Sequence, residues 1–284
     1  MNKHLTDVMR DTQAVTAISP KDALLVVSDV HKNYGARQEV AVLGGITFSV
    51  GKGEFVSVVG PSGCGKTTLL LSLSGLMRPD RGAVALDGKV IGDGTPDGVA
   101  IVFQDYSRSL FPWKTVRANV IFGMRRLSNL SRGDKRKQAD ELLAAVGLAG
   151  FEDRYPWQLS GGMQQRVAIA RGLASRSKLL LLDEPLAAVD AQTRADLQDL
   201  LLDLAKRFEQ TCLLVTHDVD EAVYMADRVI VLSKRPTHVI EEIDVALPNP
   251  RDQIETREEK AYLEIRHEVL SRIRLMRGSP AAQH

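Results

Sequence analysis

The chain has 284 residues, 44% hydrophobic and 26% charged, which is enough to bury a sizeable core. Thirty-seven Lys and Arg stand against 36 Asp and Glu, and this balance excludes recognition of nucleic acid through an overall basic field. Two cysteines, Cys64 and Cys212, exclude a disulfide-built scaffold and make the reducing cytosol the default compartment.

Residues 1–22 are polar and unpatterned. They read as a loose tail without the apolar segment of a secretory signal. The strands expected next are residues 23–30, 45–50 and 54–59, the last running directly into a Gly-rich turn. Residues 84–91 carry Asp87-Gly88 between apolar flanks, a hairpin signal. Residues 99–103 form another short strand. An all-helical lobe is expected from about 105 to 172. In it Ser131 and Asp134 have capping-box spacing, Ala139, Leu142, Leu143 and Val146 share one helical face, and Gly147 suits a C-terminal cap. Ser160 is placed to cap a further helix through Gly172.

Residues 179–182 are all Leu, as in a parallel strand buried on both faces. Leu197, Leu200, Leu201, Leu204 and Phe208 repeat at helical spacing. Two more buried strands, 212–215 and 229–232, flank a short helix at 219–226. The alternation implies an α/β domain with a largely parallel sheet. After Pro236 come a strand-like VIEEIDVAL, two prolines and an amphipathic helix striped by Tyr262, Ile265, Val269, Ile273 and Met276. This stretch, 236–284, is expected to be an appendix outside the sheet. No run reaches the roughly 20 apolar residues of a membrane-spanning helix.

Chemistry concentrates in a few places. Gly60-Pro61-Ser62-Gly63-Cys64-Gly65-Lys66-Thr67 matches GxxxxGK[ST], with a strand before it and a helix former after it. Glycines let several N–H groups turn inward, the helix adds its positive end, Lys66 supplies a full charge, and the Thr67 hydroxyl can ligate Mg²⁺. The strand at 179–182 ends in Asp183-Glu184. This puts a carboxylate at the sheet edge where ligands bind in open α/β sheets. Asp183 suits the metal's water shell, and Glu184 suits a general base. Leu159-Ser160-Gly161-Gly162-Met163-Gln164-Gln165-Arg166 is physically a second helix start, where a Ser cap and two small residues leave N–H groups open to an anion. On its residues alone, an ordinary capped helix is the other reading.

Ser160 of that string lies 19 residues ahead of Leu179. Together with the phosphate loop, it closely resembles the signature of ATP-binding-cassette (ABC) ATPases over roughly residues 23–235. The resemblance implies an α/β P-loop NTPase core with a mostly parallel sheet, an N-terminal antiparallel β subdomain and a helical subdomain. It also implies that Tyr34 stacks on adenine and that the loop residues through Thr68 hold the phosphates. Gln104 matches the glutamine that touches Mg²⁺, and His217 matches the switch histidine that contacts the γ-phosphate. Ala187-Ala188-Val189-Asp190 is a looser match to the family's D-loop, although Asp190 is kept.

The family mechanism uses two copies. ATP and Mg²⁺ lie between one chain's phosphate loop and the other's Ser160, Gly161, Gly162 and Gln164. One loop and one signature here imply a homodimer. Only 94 residues separate Lys66 from Ser160, too few for the long coiled coil inserted by repair and chromosome types. LFPWKTVRANVIFG and RPTHVIEEIDVALPNPRD resemble importer ATPases for nitrate, sulfonate and taurine. The partners so implied are membrane permease subunits docking near the glutamine loop and helical subdomain, with Phe111 and Trp113 as an apolar patch. A periplasmic solute-binding protein acts indirectly, and no nucleic acid is involved. The implied location is peripheral, on the cytoplasmic side of the inner membrane.

Overall fold

The structure, a computed structural model, describes residues 23–35, 40–105, 109–187 and 189–278. The expected tail at 1–22 lies outside them. In chain order the elements are β1 (Ala23–Tyr34), β2 (Val40–Gly51), β3 (Phe55–Val59), α1 (Lys66–Leu73), β4 (Arg81–Leu86), β5 (Lys89–Val90) and β6 (Val99–Val102). Then follow α2 (Val116–Gly123), α3 (Arg132–Ala145), α4 (Gly161–Ala174), β7 (Leu179–Asp183), α5 (Ala191–Arg207), β8 (Thr211–Val215) and α6 (Val219–Met225). The chain closes with β9 (Arg228–Leu232), β10 (Val239–Asp244), α7 (Glu255–Glu258) and α8 (Lys260–Gly278). These group into two compact units. The first combines the chain up to Pro96 with the chain from Leu213 onward, and the second runs from Asp97 to Cys212.

The first unit holds an antiparallel sheet in the order β2-β1-β4-β5. The Asp87-Gly88 hairpin forms as expected, with φ of 49° and 73° at the two turn residues and Ala85 paired to Val90. A second set of strands runs β10-β9-β3-β8. In it β3 and β9 are parallel, Val56 opposite Arg228 and Val59 opposite Val231. All five residues of each are buried, which fits their mostly apolar, non-alternating sequences, interrupted only by Ser57 in β3 and Arg228 in β9.

The expectation that VIEEIDVAL lies outside the sheet is overturned: β10 pairs antiparallel with β9, Ile243 opposite Val229. Two glutamates make this segment look like a solvated appendix. In the fold, Glu242 and Glu54 both pair with the buried guanidinium of Arg228, and Glu241 pairs with Arg272 of α8. The charges are thus satisfied from 14 and 31 residues away along the chain. The stripe expected on α8 is the face it buries, led by Tyr262 and Val269. Its seat includes α6, where the Tyr262 hydroxyl donates to both the backbone and carboxylate oxygens of Asp220, each at 3.2 Å. Arg266 pairs with the same carboxylate.

In the second unit β6 and β7 are parallel, Val99 opposite Leu179 and Val102 opposite Leu182. Between them in sequence come α2, α3 and α4, the helical stretch anticipated from about 105. Their core includes Val116, Val120, Ala139, Leu143, Val167 and Ile169. The capping box at α3 forms: Ser131 accepts from the Asp134 N–H at 3.1 Å, and Asp134 accepts from the Ser131 N–H at 3.2 Å.

Candidate functional site

In the first unit, β3 delivers the chain into the loop at Gly60. The Cys64 N–H donates to the Pro61 carbonyl at 3.2 Å and closes the turn. Gly63 and Gly65 take φ of 72° and 112°, a region that disfavours residues with a Cβ. At Gly65 space forbids one as well, because a Cβ would lie 2.7 Å from Val42 Cγ1. Helix α1 starts at Lys66 with Gly65 as its N-cap and no side chain capping it. The first helical N–H groups are therefore left for another acceptor, the arrangement that suits a phosphate. The buried Lys66 ammonium crosses back over the turn and donates to the carbonyls of Gly60 at 2.9 Å and Pro61 at 3.3 Å. Ser62, Gly63 and Thr67 are exposed. Cys64 forms the loop's inner wall. Burial raises its thiol pKa against the opposing pull of Lys66, so it stays a neutral packing group.

Tyr34 ends β1 with its ring 41% exposed. Its hydroxyl lies 3.3 Å from Thr68 Oγ1 and donates to Met77 Sδ at 3.1 Å, which ties the ring to α1 and the residues after it. His217 follows β8 and is exposed, just after the point where the Thr216 N–H donates to the Val58 carbonyl at 3.1 Å. Tyr34, Gly60 through Thr68 and His217 thus all belong to the first unit.

The second unit carries the remaining candidates. β7 ends in the buried Asp183, and Glu184 follows half-buried at a φ of 43°. Gln104, exposed just past β6, donates through Nε2 to Glu184 Oε2 at 3.4 Å, so these two are brought together. Ser160 caps α4 and accepts from the Met163 N–H at 3.3 Å. Gly161 opens that helix at the surface. The Gln164 amide turns back to donate to the Leu159 carbonyl at 3.2 Å. Gly162 faces Thr193, whose Cγ2 would lie 2.6 Å from an added Cβ. Asp190 caps α5, accepting from the Thr193 N–H at 3.0 Å. Thr193 therefore links the signature to the D-loop, a role that no motif signals. Ala188 of that stretch lies outside the described residues.

In the segment after Gln104, Tyr106 lies outside the described residues, while Trp113 is 71% exposed. Phe111 packs edge-on against Phe122 with ring centres 4.7 Å apart. Buried Asn119 holds this loop: it accepts from the Phe111 N–H at 2.8 Å and donates to the Phe111, Lys114 and Thr115 carbonyls. It was not singled out from sequence, since a lone Asn on a helix carries no signal.

Among the described residues no three His, Cys, Asp or Glu side chains gather as a metal site. The donors expected for Mg²⁺ are instead one carboxylate, Asp183, with the Thr67 hydroxyl and the Gln104 amide oxygen. Such a hard-oxygen set suits a cation that keeps much of its water.

A strand, glycine loop and uncapped helix within an α/β fold define a nucleotide-binding protein of the phosphate-loop class. The pattern of the ABC transporter family matches residues 43–187. Over 233 residues the chain is 48% identical to the ABC transporter ATP-binding protein MJ0412 of Methanocaldococcus jannaschii, covering 82% of this chain and 84% of that one. The chain belongs to the ABC transporter family and is an ATP-binding ATPase cassette. It is 42% identical over 252 residues to the nitrate import ATP-binding protein NrtC of Synechococcus elongatus. It is 43% identical over 250 residues to the bicarbonate transport ATP-binding protein CmpC of the same organism. Each match covers 87% of this chain but only 38% and 37% of those longer proteins.

Among solved structures, the ATP-binding cassette MJ0796, dimeric and bound to ADP and Pi, superposes with a TM-score of 0.69 at 33% identity. The match covers 78% of this chain and 98% of that one. CbiO1 of Clostridium perfringens, part of the cbiONQ transporter complex, gives 0.71 at 30% identity, covering 90% and 99%.

Proposed function

We propose that the chain is the ATP-hydrolysing subunit of an importer for a small anion of the nitrate, bicarbonate, sulfonate or taurine kind. The observation that carries this is the uncapped glycine start of α1 with Lys66 drawn across it, in a chain more than 40% identical to nitrate and bicarbonate transport ATPases over most of its length. Lys66 and the first N–H groups of α1 bind the phosphates, and Tyr34 takes the adenine. Asp183, Thr67 and Gln104 would hold Mg²⁺, which when bound neutralises phosphate charge. Glu184 accepts the proton of the water that attacks the γ-phosphorus while the bond to the bridging oxygen breaks. The Gln104 amide, bonded to Glu184, orients that carboxylate, and His217 senses the γ-phosphate.

The partners are a second copy, whose Ser160, Gly161, Gly162 and Gln164 close over the nucleotide, and membrane permease subunits seated at the exposed Trp113. A periplasmic receptor delivers the anion. Among the described residues no helix is long and apolar enough to cross a membrane. The proposed location is peripheral, at the cytoplasmic face of the inner membrane.

The test replaces Lys66 with Ala. ATP affinity, measured by calorimetry, should fall at least about tenfold and hydrolysis should disappear. Unchanged affinity would refute the loop's role. Deleting the gene should abolish uptake of one labelled anion among nitrate, bicarbonate and alkyl sulfonates. Normal uptake of all of them would remove the importer assignment.

A further inference from the structure

Thr237 lies 171 residues beyond Lys66 and outside every nucleotide motif, yet it is completely buried against the phosphate loop. Its backbone is fully engaged with β2. The Thr237 N–H donates to the Val42 carbonyl at 2.9 Å, and the Gly44 N–H donates to the Thr237 carbonyl at 2.9 Å. Its hydroxyl donates to the carbonyl oxygen of Cys64 inside the loop. The strap that carries Thr237 is closed on itself: the Ser233 N–H donates to the His238 carbonyl at 3.0 Å, and the His238 N–H donates to Ser233 Oγ at 2.8 Å.

The Cys64 carbonyl and the Gly65 N–H belong to one planar peptide group. In a trans peptide they point in opposite directions, so anchoring one aims the other. Gly65 has no side chain to hold its own orientation, and its φ of 112° lies in the region that favours glycine. Val42 Cγ1 and Thr237 Oγ1 both border this residue, 2.7 Å and 3.7 Å from where a Cβ would stand. We infer that Thr237 is a positioning residue for nucleotide binding: by holding the Cys64 carbonyl it turns the Gly65 N–H outward, toward the phosphates. This rests on the proposed role of the loop as the triphosphate cradle.

The experiment compares full-length wild type, Thr237→Val, Thr237→Ser and Lys66→Ala. ATP binding is measured by calorimetry at a temperature where each is folded by circular dichroism. Valine keeps the shape and loses the donor, and ATP affinity should fall about five- to tenfold, the scale of one mis-aimed hydrogen bond to a charged ligand. Serine keeps the donor and should bind within about twofold of wild type. If valine binds as wild type does while Lys66→Ala has lost binding, the inference fails and the loop's role stands. If serine, folded, binds as weakly as valine or worse, the hydroxyl is not the cause and the inference also fails. If Lys66→Ala binds normally, the loop's role itself is wrong.

Discussion

Glu184 sits at a φ of 43°, where residues with a Cβ are uncommon and strain collects at working sites. The bend lets the chain leave the buried strand β7 abruptly, and Gln104 meets the carboxylate as it leaves. The Glu184→Gln variant retains side-chain size and can still bond to Gln104, but it cannot take a proton. ATP hydrolysis should drop by about 10²–10⁴, the contribution of a general base, while ATP affinity stays within about twofold. Steady-state turnover beside equilibrium binding checks this, and near-normal turnover removes Glu184 from that role. Neighbouring Asp183-Glu184 was readable as a pair of carboxylates after four leucines. The backbone angle and the Gln104 partner were not, because both depend on β6 lying alongside β7.

The end of β1, which carries Tyr34, is pinned by Asp80. Its carboxylate accepts from Lys32 Nζ and from the Asn33 N–H, each at 2.7 Å. The Lys32 bond, then the Asn33 N–H, holds the Asp80 pKa below its usual range. Because the folded pKa is depressed, the stabilisation is present above the unfolded carboxylate pKa and is lost as pH falls through the lower folded value. Asp80 is partly exposed, so the effect is modest. Asp80→Asn should lower the thermal midpoint at pH 7 by about 1–3 °C, and the difference from wild type should close as the pH falls through the depressed folded pKa of Asp80. Thermal melts across pH read this directly, and a constant difference down to pH 2 would contradict it. Sequence marked β1 only as far as Val30. Its extension to Tyr34 depends on pairing with β2, a long-range contact.

One phosphate loop and one signature per chain mean that, on the mechanism proposed, the working ATPase is a pair of chains closing around nucleotide. Ser160 is exposed at the start of α4 and accepts a single backbone bond, so losing that cap costs only about 1 kcal/mol and leaves the fold intact. Ser160→Arg should therefore bind ATP within about twofold of wild type yet form no ATP-dependent dimer in light scattering. A normal ATP-induced dimer would rule out the shared site. Such a test separates the two proposed roles: the helix start at Lys66 binding nucleotide within its own chain, and the one at Ser160 acting across to the partner.

The phosphate loop, the Ser131 and Ser160 caps, the Asp87-Gly88 turn and the all-buried strands were decided by residues close together in the chain. Their physics is local, so a linear reading finds them. The place of β10 in the sheet, the union of Gly162 with Thr193 and the seat of Thr237 behind the loop were decided only by folding. A buried charge is tolerable, or a glycine obligatory, because of an atom that arrives from tens or hundreds of residues away.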